Sequence, residues 1–453
     1  MANPTVAHDA TPKQSMLLRF LNLMSMPALA ILTAFILGAL LILVTSGSFV
    51  TVGEAYWGLI RGALFKTRGL SESLVASIPY VLLSLAVAVG FRTGLFNIGV
   101  EGQFTIGAIC AAWAGAAFRD LPSFIHLPLA LGAGALGGAI WAAIPAFLKA
   151  RTGAHEVIST MMMNYVAFRL VEYLVSFPLK DPLPTTVQTQ RVASQAEIWT
   201  MAAIPERLKD PSNALVAALV IGLVVSLIVR VIIGRQPKGL IKTNLQRRAA
   251  YIGSGLVAGL LTFFLLPPLA NLWWPFTDQY DRLHTGLFIA IGAAVFIWWL
   301  MDKTTIGYEL RTVGANPTAA RYAGANITRN VMTAMIISGA LAGLAGTVEV
   351  LGVSICRCLP LFFSSGYGWD SIGIALLAKN NPFGILAASF LFGAMRNGAD
   401  LMELTSGVSK YIISLVQGLV LLFVAAPAVV RWLYRIKATH KEEEAPLTRG
   451  WGG

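Results

Sequence analysis

Charge is what this 453-residue chain has least of: Asp, Glu, Lys and Arg together make up 12% of it, against about 25% in an average soluble domain. A chain so short of charge cannot cover itself with a hydrated surface, which excludes an ordinary water-soluble globule. Cysteine is nearly absent. Cys110, Cys356 and Cys358 are the whole supply, which excludes a disulfide framework. Cys356-Arg357-Cys358 would need further thiolate or imidazole ligands to hold a metal. The five histidines (His8, His126, His155, His284, His440) are scattered, so no metal site is expected and the thiols are read as free. A Gly-x-x-x-x-Gly-Lys-Ser/Thr phosphate loop, an HExxH pair and a GxSxG elbow are all missing. Nothing in the chain argues for an enzyme.

What fills the chain instead is apolar. Hydrophobic residues make up 56% of it and the mean hydropathy is +0.69. Several apolar runs reach about 20 residues, the length that crosses a hydrocarbon core. The expected fold is all-α and polytopic, with about ten to twelve transmembrane helices including short or broken ones. Spans are expected near 27–47, 74–91, 97–117, 126–148, 157–178, 213–233, 250–272, 284–301, 331–353 and 410–431, with two short helices at 369–379 and 383–398 meeting at Lys379-Asn380-Asn381-Pro382. The membrane domain then covers 27–433, between an N-terminal segment 1–26 and a tail 434–453.

The net charge of +12 is carried by short basic segments between apolar runs, which is the positive-inside bias and not a nucleic-acid surface. Lys13 and Arg19 precede an apolar run with no small-residue cleavage site, so a retained first helix with its N-terminus inside is expected. Arg92, Lys149 and Arg151, the stretch from Arg235 to Arg248, the segment 302–329, and Arg431 with Arg435 and Lys437 mark further inner positions. Both termini are then cytoplasmic. Arg61, Lys66 and Arg68, in a loop read at 48–73, run against that assignment. Pro178 to Pro211 reads as an external loop, and Trp273-Trp274-Pro275 as an outer interface.

Polar residues at membrane depth are costly and face the protein interior or a wet path. At helical spacing Asn97, Glu101 and Thr105 fall four apart and line one face, with Gln103 close by. Their donors and acceptors suit hydroxyls and ring nitrogens, so all four are candidates for a substrate path; helix-to-helix packing is the competing reading. The glycine- and proline-broken stretch 354–409 holds Tyr367, Trp369 and Asp370, and unwound backbone in a membrane domain lies only against protein or water. Glu101, Glu172 and Glu349 also leave room for an ion-coupled secondary transporter, although Arg169, three residues before Glu172, can neutralise it on one helix. On the inner side, the segment from Gly307 to Gly324 combines small residues with Pro317 at a helix start, which suits close approach of a partner or an ordinary solvated loop.

Four segments carry a family likeness: Phe96 to Gln103, Leu310 to Gly324, Ser338 to Gly346 and Gly366 to Leu377. In this order they resemble the permease subunits of ABC importers for simple sugars and nucleosides, and Gln103 looks most like the nucleoside branch, whose permeases work as unlike pairs. The resemblance implies that ATP and Mg are held by a separate ABC ATPase subunit and that no cofactor is bound by this chain. It also implies a second permease subunit, an extracytoplasmic substrate-binding lipoprotein and residence in the cytoplasmic (inner) membrane among its lipids, with no nucleic-acid partner. Under it, Arg311, Gly314, Ala315, Asn316, Ala319, Ala320, Arg321 and Gly324 are the expected ATPase contact. Three places depart from the pattern: 213–276 looks like a two-helix insertion, Lys379-Asn380-Asn381 replaces Gly-Arg-Asn-like residues, and Ile355 to Leu359 is unfamiliar.

Overall fold

A computed structural model of the chain describes residues 16–183, 186–235, 244–272, 274–364 and 366–435. In order the helices are α1 (Met16–Ser46), α2 (Phe49–Ile60), α3 (Gly69–Arg92), α4 (Val100–Ala117), α5 (Ser123–Thr152), α6 (Glu156–Ser176), α7 (Ile204–Arg207), α8 (Pro211–Arg235), α9 (Asn244–Leu272), α10 (Gly286–Lys303), α11 (Thr305–Ala315), α12 (Pro317–Tyr322), α13 (Ile327–Val348), α14 (Tyr367–Leu377), α15 (Pro382–Ser406), α16 (Tyr411–Ala425) and α17 (Pro427–Leu433). Among the described residues β-structure is limited to isolated bridges, so the expected all-α class holds. Among the described residues, seven helices are long and apolar enough to cross a membrane, or eight if the pair α16–α17, bent by 91° at Ala426-Pro427, counts as one crossing. The helices α4, α6 and α15 are also long, but their polar residues keep them out of that set.

α3 is the spine. Its sequence is apolar on every side, which is the mark of a helix surrounded by protein, and it is buried from Val75 to Gly90 apart from Ala76. It packs against α10, α13, α14 and α15. α13 reaches the centre through small residues. Gly339 and Gly343, four apart, lie against the backbone of Gly138 and Gly134 on α5, and Gly343 also meets Gly107 on α4. This is the small-residue helix contact that membranes favour, where backbones approach without an intervening side chain. The Ser338–Gly346 segment is thus a packing seam.

The ends of α3 define two faces. At the Arg92 end three side-chain caps follow one another: Thr304 accepts from Gly307 N (3.1 Å), Asn316 from Ala319 N (3.0 Å) and Asn326 from Arg329 N (3.0 Å). They start α11, α12 and α13, with Pro317 at the first position of α12, where its missing N–H costs nothing. At the Gly69 end, the segment 278–282 is strapped to α3 by Arg68 to Asp278 (2.5 Å), Ser71 to Asp281 and Arg282 to Glu72 (3.0 Å). The loop after α6 is stitched to the segment after α13 by Thr189 N to Leu359 O (3.0 Å), Val192 N to Arg357 O (2.9 Å) and Ile198 N to Leu351 O (3.0 Å).

Several expectations need correction. Residues 49–65, read as loop, form α2 and a five-residue π-turn, Arg61–Phe65, packed on α15 through Gly62 and Gly398. The helix α4 begins only at Val100, so Asn97 precedes it and only Glu101 and Thr105 share the four-residue spacing. α15 runs to Ser406, because Gly393 and Gly398 are points of close approach and not breaks. The break at Lys379–Pro382 is where it was expected: Lys379 and Asn380 turn the chain with φ of 51° and 56°, and Asn381 caps α15. Cys356 and Cys358, expected as free thiols, are joined in a disulfide. Lys13, residues 236–243, Trp273 and the tail from 436 onward lie outside the described residues.

Candidate solute path and coupling surface

Glu101 sits in the first turn of α4 and is fully buried. Its carboxylate accepts from the hydroxyl of Ser364 and from the backbone N–H of Gly368, in the first turn of α14. The first turn of α14 therefore offers a backbone donor to the Glu101 carboxyl, which itself belongs to the first turn of α4. Position 368 has to be glycine: a Cβ there would stand 2.8 Å from Glu101 Cα. Gly366, with φ of 80°, starts the same helix in the left-handed region.

Beside it lies a second network. Tyr80 on α3 donates to Asp370 on α14 (2.9 Å) and accepts from Arg396 on α15 (3.1 Å). The Arg396 guanidinium lies 4.2 Å from the centre of the Tyr367 ring, and that ring meets Tyr80 edge-on at 4.8 Å. Such cation–π and edge-to-face contacts strengthen where water is excluded. The network ties α14 to α3 and α15. Sequence reasoning overlooked Tyr80 and Arg396, although the rule applied to the intramembrane acids would equally have selected an arginine inside a span.

The other candidate residues separate into packing and lining groups. Asn97 and Gln103 are spent on each other: Asn97 donates to Gln103 (3.0 Å) and Ser338 (2.9 Å), and Gln103 donates back (3.1 Å). Asn97 also accepts from Gly99 N, and Ser338 donates to Ala86 O (2.7 Å). That clasp fastens the turn before α4 to α3 and α13. Trp369 is 41% exposed, on a different side of α14 from buried Tyr367. Thr105 donates to Glu101 O (2.8 Å) and forms part of the wall of a cleft of about 310 Å³ between α4, α6 and the segment 360–364. Arg169 and Glu172, 2.7 Å apart on α6, line the same cleft. Glu349 is half-buried where α13 passes into a π-turn, and its Oε2, itself shut off from solvent, has no hydrogen-bond partner.

At the Arg92 end, α11 and α12 present Ala315, Asn316, Ala319, Arg321 and Gly324 to the surface, together with Tyr308 and Tyr322. Gly314 and Ala320 face the other way. Ala320 is fully buried, and a Cβ at Gly314 would lie 2.5 Å from Arg92 O, so these two small residues seat the segment on the bundle. Asp302 holds the joint by accepting from Arg92 (3.1 Å), with Arg311 at 3.8 Å.

Residues 69–425 match the family described as "Branched-chain amino acid transport system / permease component". The chain belongs to this permease family. It is 35% identical to the guanosine ABC transporter permease protein NupP of Bacillus subtilis, over 90% of this chain and 94% of that protein. It is 27% identical to the nucleoside ABC transporter permease protein NupB of Lactococcus lactis, over 94% and 96%. It is 29% identical to the glucose ABC transporter permease protein TsgB13 of Haloferax volcanii, over 88% and 86%. No solved structure matches it. The permease is a multi-pass membrane subunit of an ABC transporter, without catalytic activity of its own; ATP is hydrolysed on separate subunits.

Proposed function

We propose that this permease moves a nucleoside inward across the cytoplasmic membrane, pairing with a second, unlike permease subunit and receiving solute from an extracytoplasmic lipoprotein. The similarity to NupP, running nearly end to end in both proteins, carries the reading. ATP and Mg reside on the ATPase, and this chain holds no cofactor. Both termini are cytoplasmic, with ten to twelve crossings once α4, α6 and the broken pair α14–α15, as one crossing or two, are counted beside the apolar helices. Pairing of Cys356 with Cys358 supports an outer placement of that loop, because disulfides persist on the oxidising side of a membrane.

The exposed face of α11–α12 receives the ATPase, with Arg311 and Arg321 as ion-pair donors. Closure of the ATPase pushes this seat, and Gly314 passes the load to the Arg92 end of α3. A side-chain-free contact transmits displacement stiffly, because packed interfaces switch and do not flex. α3 carries Tyr80, so its shift reaches Asp370 and α14, beside Glu101. Tyr367, Trp369, Asp370, Glu101 and Thr105 then flank the path, and Asn97 and Gln103 hold its backbone in place. Of the three acids that ion coupling would use, Glu101 is held by two donors and Glu172 by Arg169, which leaves Glu349 alone as a carrier.

Proteoliposomes holding this chain, its ATPase and the second permease should concentrate guanosine only when ATP is supplied with the binding lipoprotein. Accumulation by this chain alone under an ion gradient would overturn the proposal. Ala315→Trp should abolish both uptake and co-purification of the ATPase while membrane insertion is kept. Normal co-purification with normal uptake would remove α11–α12 as the seat.

A further inference from the structure

A cleft of about 310 Å³ opens between α4, α6 and the segment 360–364. Its volume is at the small end of what ligand sites use. One wall is aromatic: Tyr165 and Phe168 on α6, Phe362 and Phe363 on the segment. The floor is polar, with the hydroxyls of Thr105 and Ser364, and the Arg169–Glu172 pair lies on the α6 side.

The segment bearing the two phenylalanines is an arch pinned at both feet. Leu361 N bonds Val187 O (3.0 Å) and Gln188 bridges Pro360, while Ser364 donates to the buried Glu101. Between the feet Phe363 turns inward and stacks on Phe104, with 5.2 Å between ring centres and 15° between planes. Phe362 does the reverse. It takes φ of 58°, in the left-handed region, and leaves its ring 76% exposed over the cleft. A bulky residue there is strained, and such strain survives where the surrounding structure imposes it, most often at binding sites. An exposed aromatic ring, a facing aromatic wall and a polar floor match a solute with one flat heteroaromatic face and one face of hydroxyls.

We propose that this cleft is a transit site for nucleosides, in which the base stacks on Phe362 against Tyr165 and Phe168 and the ribose hydroxyls meet Arg169, Glu172 and the floor. The assignment rests on the nucleoside reading of the transported solute and adds to it the place where the base is held. Stacking on one aromatic side chain is a modest contribution per base, so the site holds solute weakly enough to release it. Because the ring system is what is recognised, purine and pyrimidine nucleosides should both be accepted, and a free pentose or hexose should not.

The test uses the complete importer in proteoliposomes. Uptake of guanosine and of glucose by the unaltered complex is measured first and reads the nucleoside proposal alone. If only glucose enters, that reading fails and this one with it. If guanosine enters, Phe362→Leu should raise its KM by about tenfold, the loss of one stacking partner, while Phe362→Trp should keep it near the original. In a Cys110→Ala background, Phe362→Cys should react with a maleimide added outside, and guanosine or cytidine should protect it where ribose does not. An unchanged KM in Phe362→Leu with no protection by guanosine would overturn the site and leave nucleoside transport standing. Equal protection by ribose would overturn the stacking, and protection that depends only on lipid composition would assign the cleft to an acyl chain.

Discussion

α3 and the α8–α9 pair are equally oily, with mean hydropathy of 2.2 against 2.5 and 1.9, yet their surroundings are opposite. In the central stretch of α3 83% of residues are buried, against 22% in α8 and 6% in α9. α8 and α9 pack chiefly on each other, through Gly222, Gly255 and Gly259, and turn Leu219, Leu223, Leu256, Leu260 and Phe264 outward. Hydropathy therefore reports that a helix leaves water but not what replaces the water. α3 is enclosed by the chain's own helices, whereas the hairpin leaves most of its apolar surface outside the bundle.

The contrast breaks most sharply under bulky substitution. Gly343→Leu places a side chain against the backbone of α4 and α5. Overpacking costs about 1–3 kcal/mol where neighbours can yield, and more here, since the neighbours are carbonyls and Cα atoms. Loss of the monodisperse detergent-solubilised protein is expected. Leu260→Phe on the lipid side of α9 should be silent in the same chromatogram; equal damage at both sites would dissolve the distinction between axis and hairpin. Arg396→Leu comes next. It removes the donor to Tyr80 and leaves Asp370 with a weakened partner, a loss of about 1.5–3 kcal/mol for a bond involving a charged group. A lowered melting temperature together with lost uptake is expected, partly restored by Arg396→Lys. An unchanged melting temperature would mean that the network does not hold α14.

Removing the hairpin is a smaller change than its length suggests. A cut from 213 to 272 takes out two crossings and keeps parity, and it spares Trp274, whose Nε1 bonds Met201 O at 2.8 Å. The rest should insert with an unaltered melting transition and the C-terminus accessible from the same side. A reversed accessibility label would show that α8 and α9 set the orientation of the helices from α10 onward.

Much of this division was legible in the chain, and what escaped did so for physical reasons. Length and apolarity were enough to place α1, α3, α5 and α13. The break before α15 was readable because Asn381 and Pro382 cap and start a helix by local chemistry alone. α2 was missed because Glu54 and Arg61 interrupt a run too short to span, and only its packing on α15 makes it helical. Asn97 was placed on the helix face it does not share because a four-residue spacing presumes a helix that Gly94, with φ of 73°, and Gly99 postpone. Glu101 stood out, but its partners Ser364 and Gly368 lie more than 260 positions away, a proximity that no local pattern contains. The state of Cys356 and Cys358 depends on redox environment, which spacing does not report.

The smallest expected effect lies at the exposed strap on the Gly69 end, where Asp278 faces Arg68 at 2.5 Å. The bond from Arg68, and then the N–H of Tyr280, hold this carboxyl below the usual aspartate range. A depressed folded value means the strap's contribution is fully present above the ordinary aspartate pKa of about 3.9 and is lost as pH falls through the lower folded value. Asp278→Asn should therefore lower the melting temperature slightly at pH 7, and the gap from the unaltered protein should narrow as pH drops below about 4. Because both groups are solvent-exposed, the gap should also shrink with added salt. Arg396→Leu should show no such salt dependence, because its partners lie inside the bundle. A salt response of equal size at both positions would mean that water reaches Tyr80 and Asp370 as freely as it reaches the strap, and the buried axis would then be a wet one.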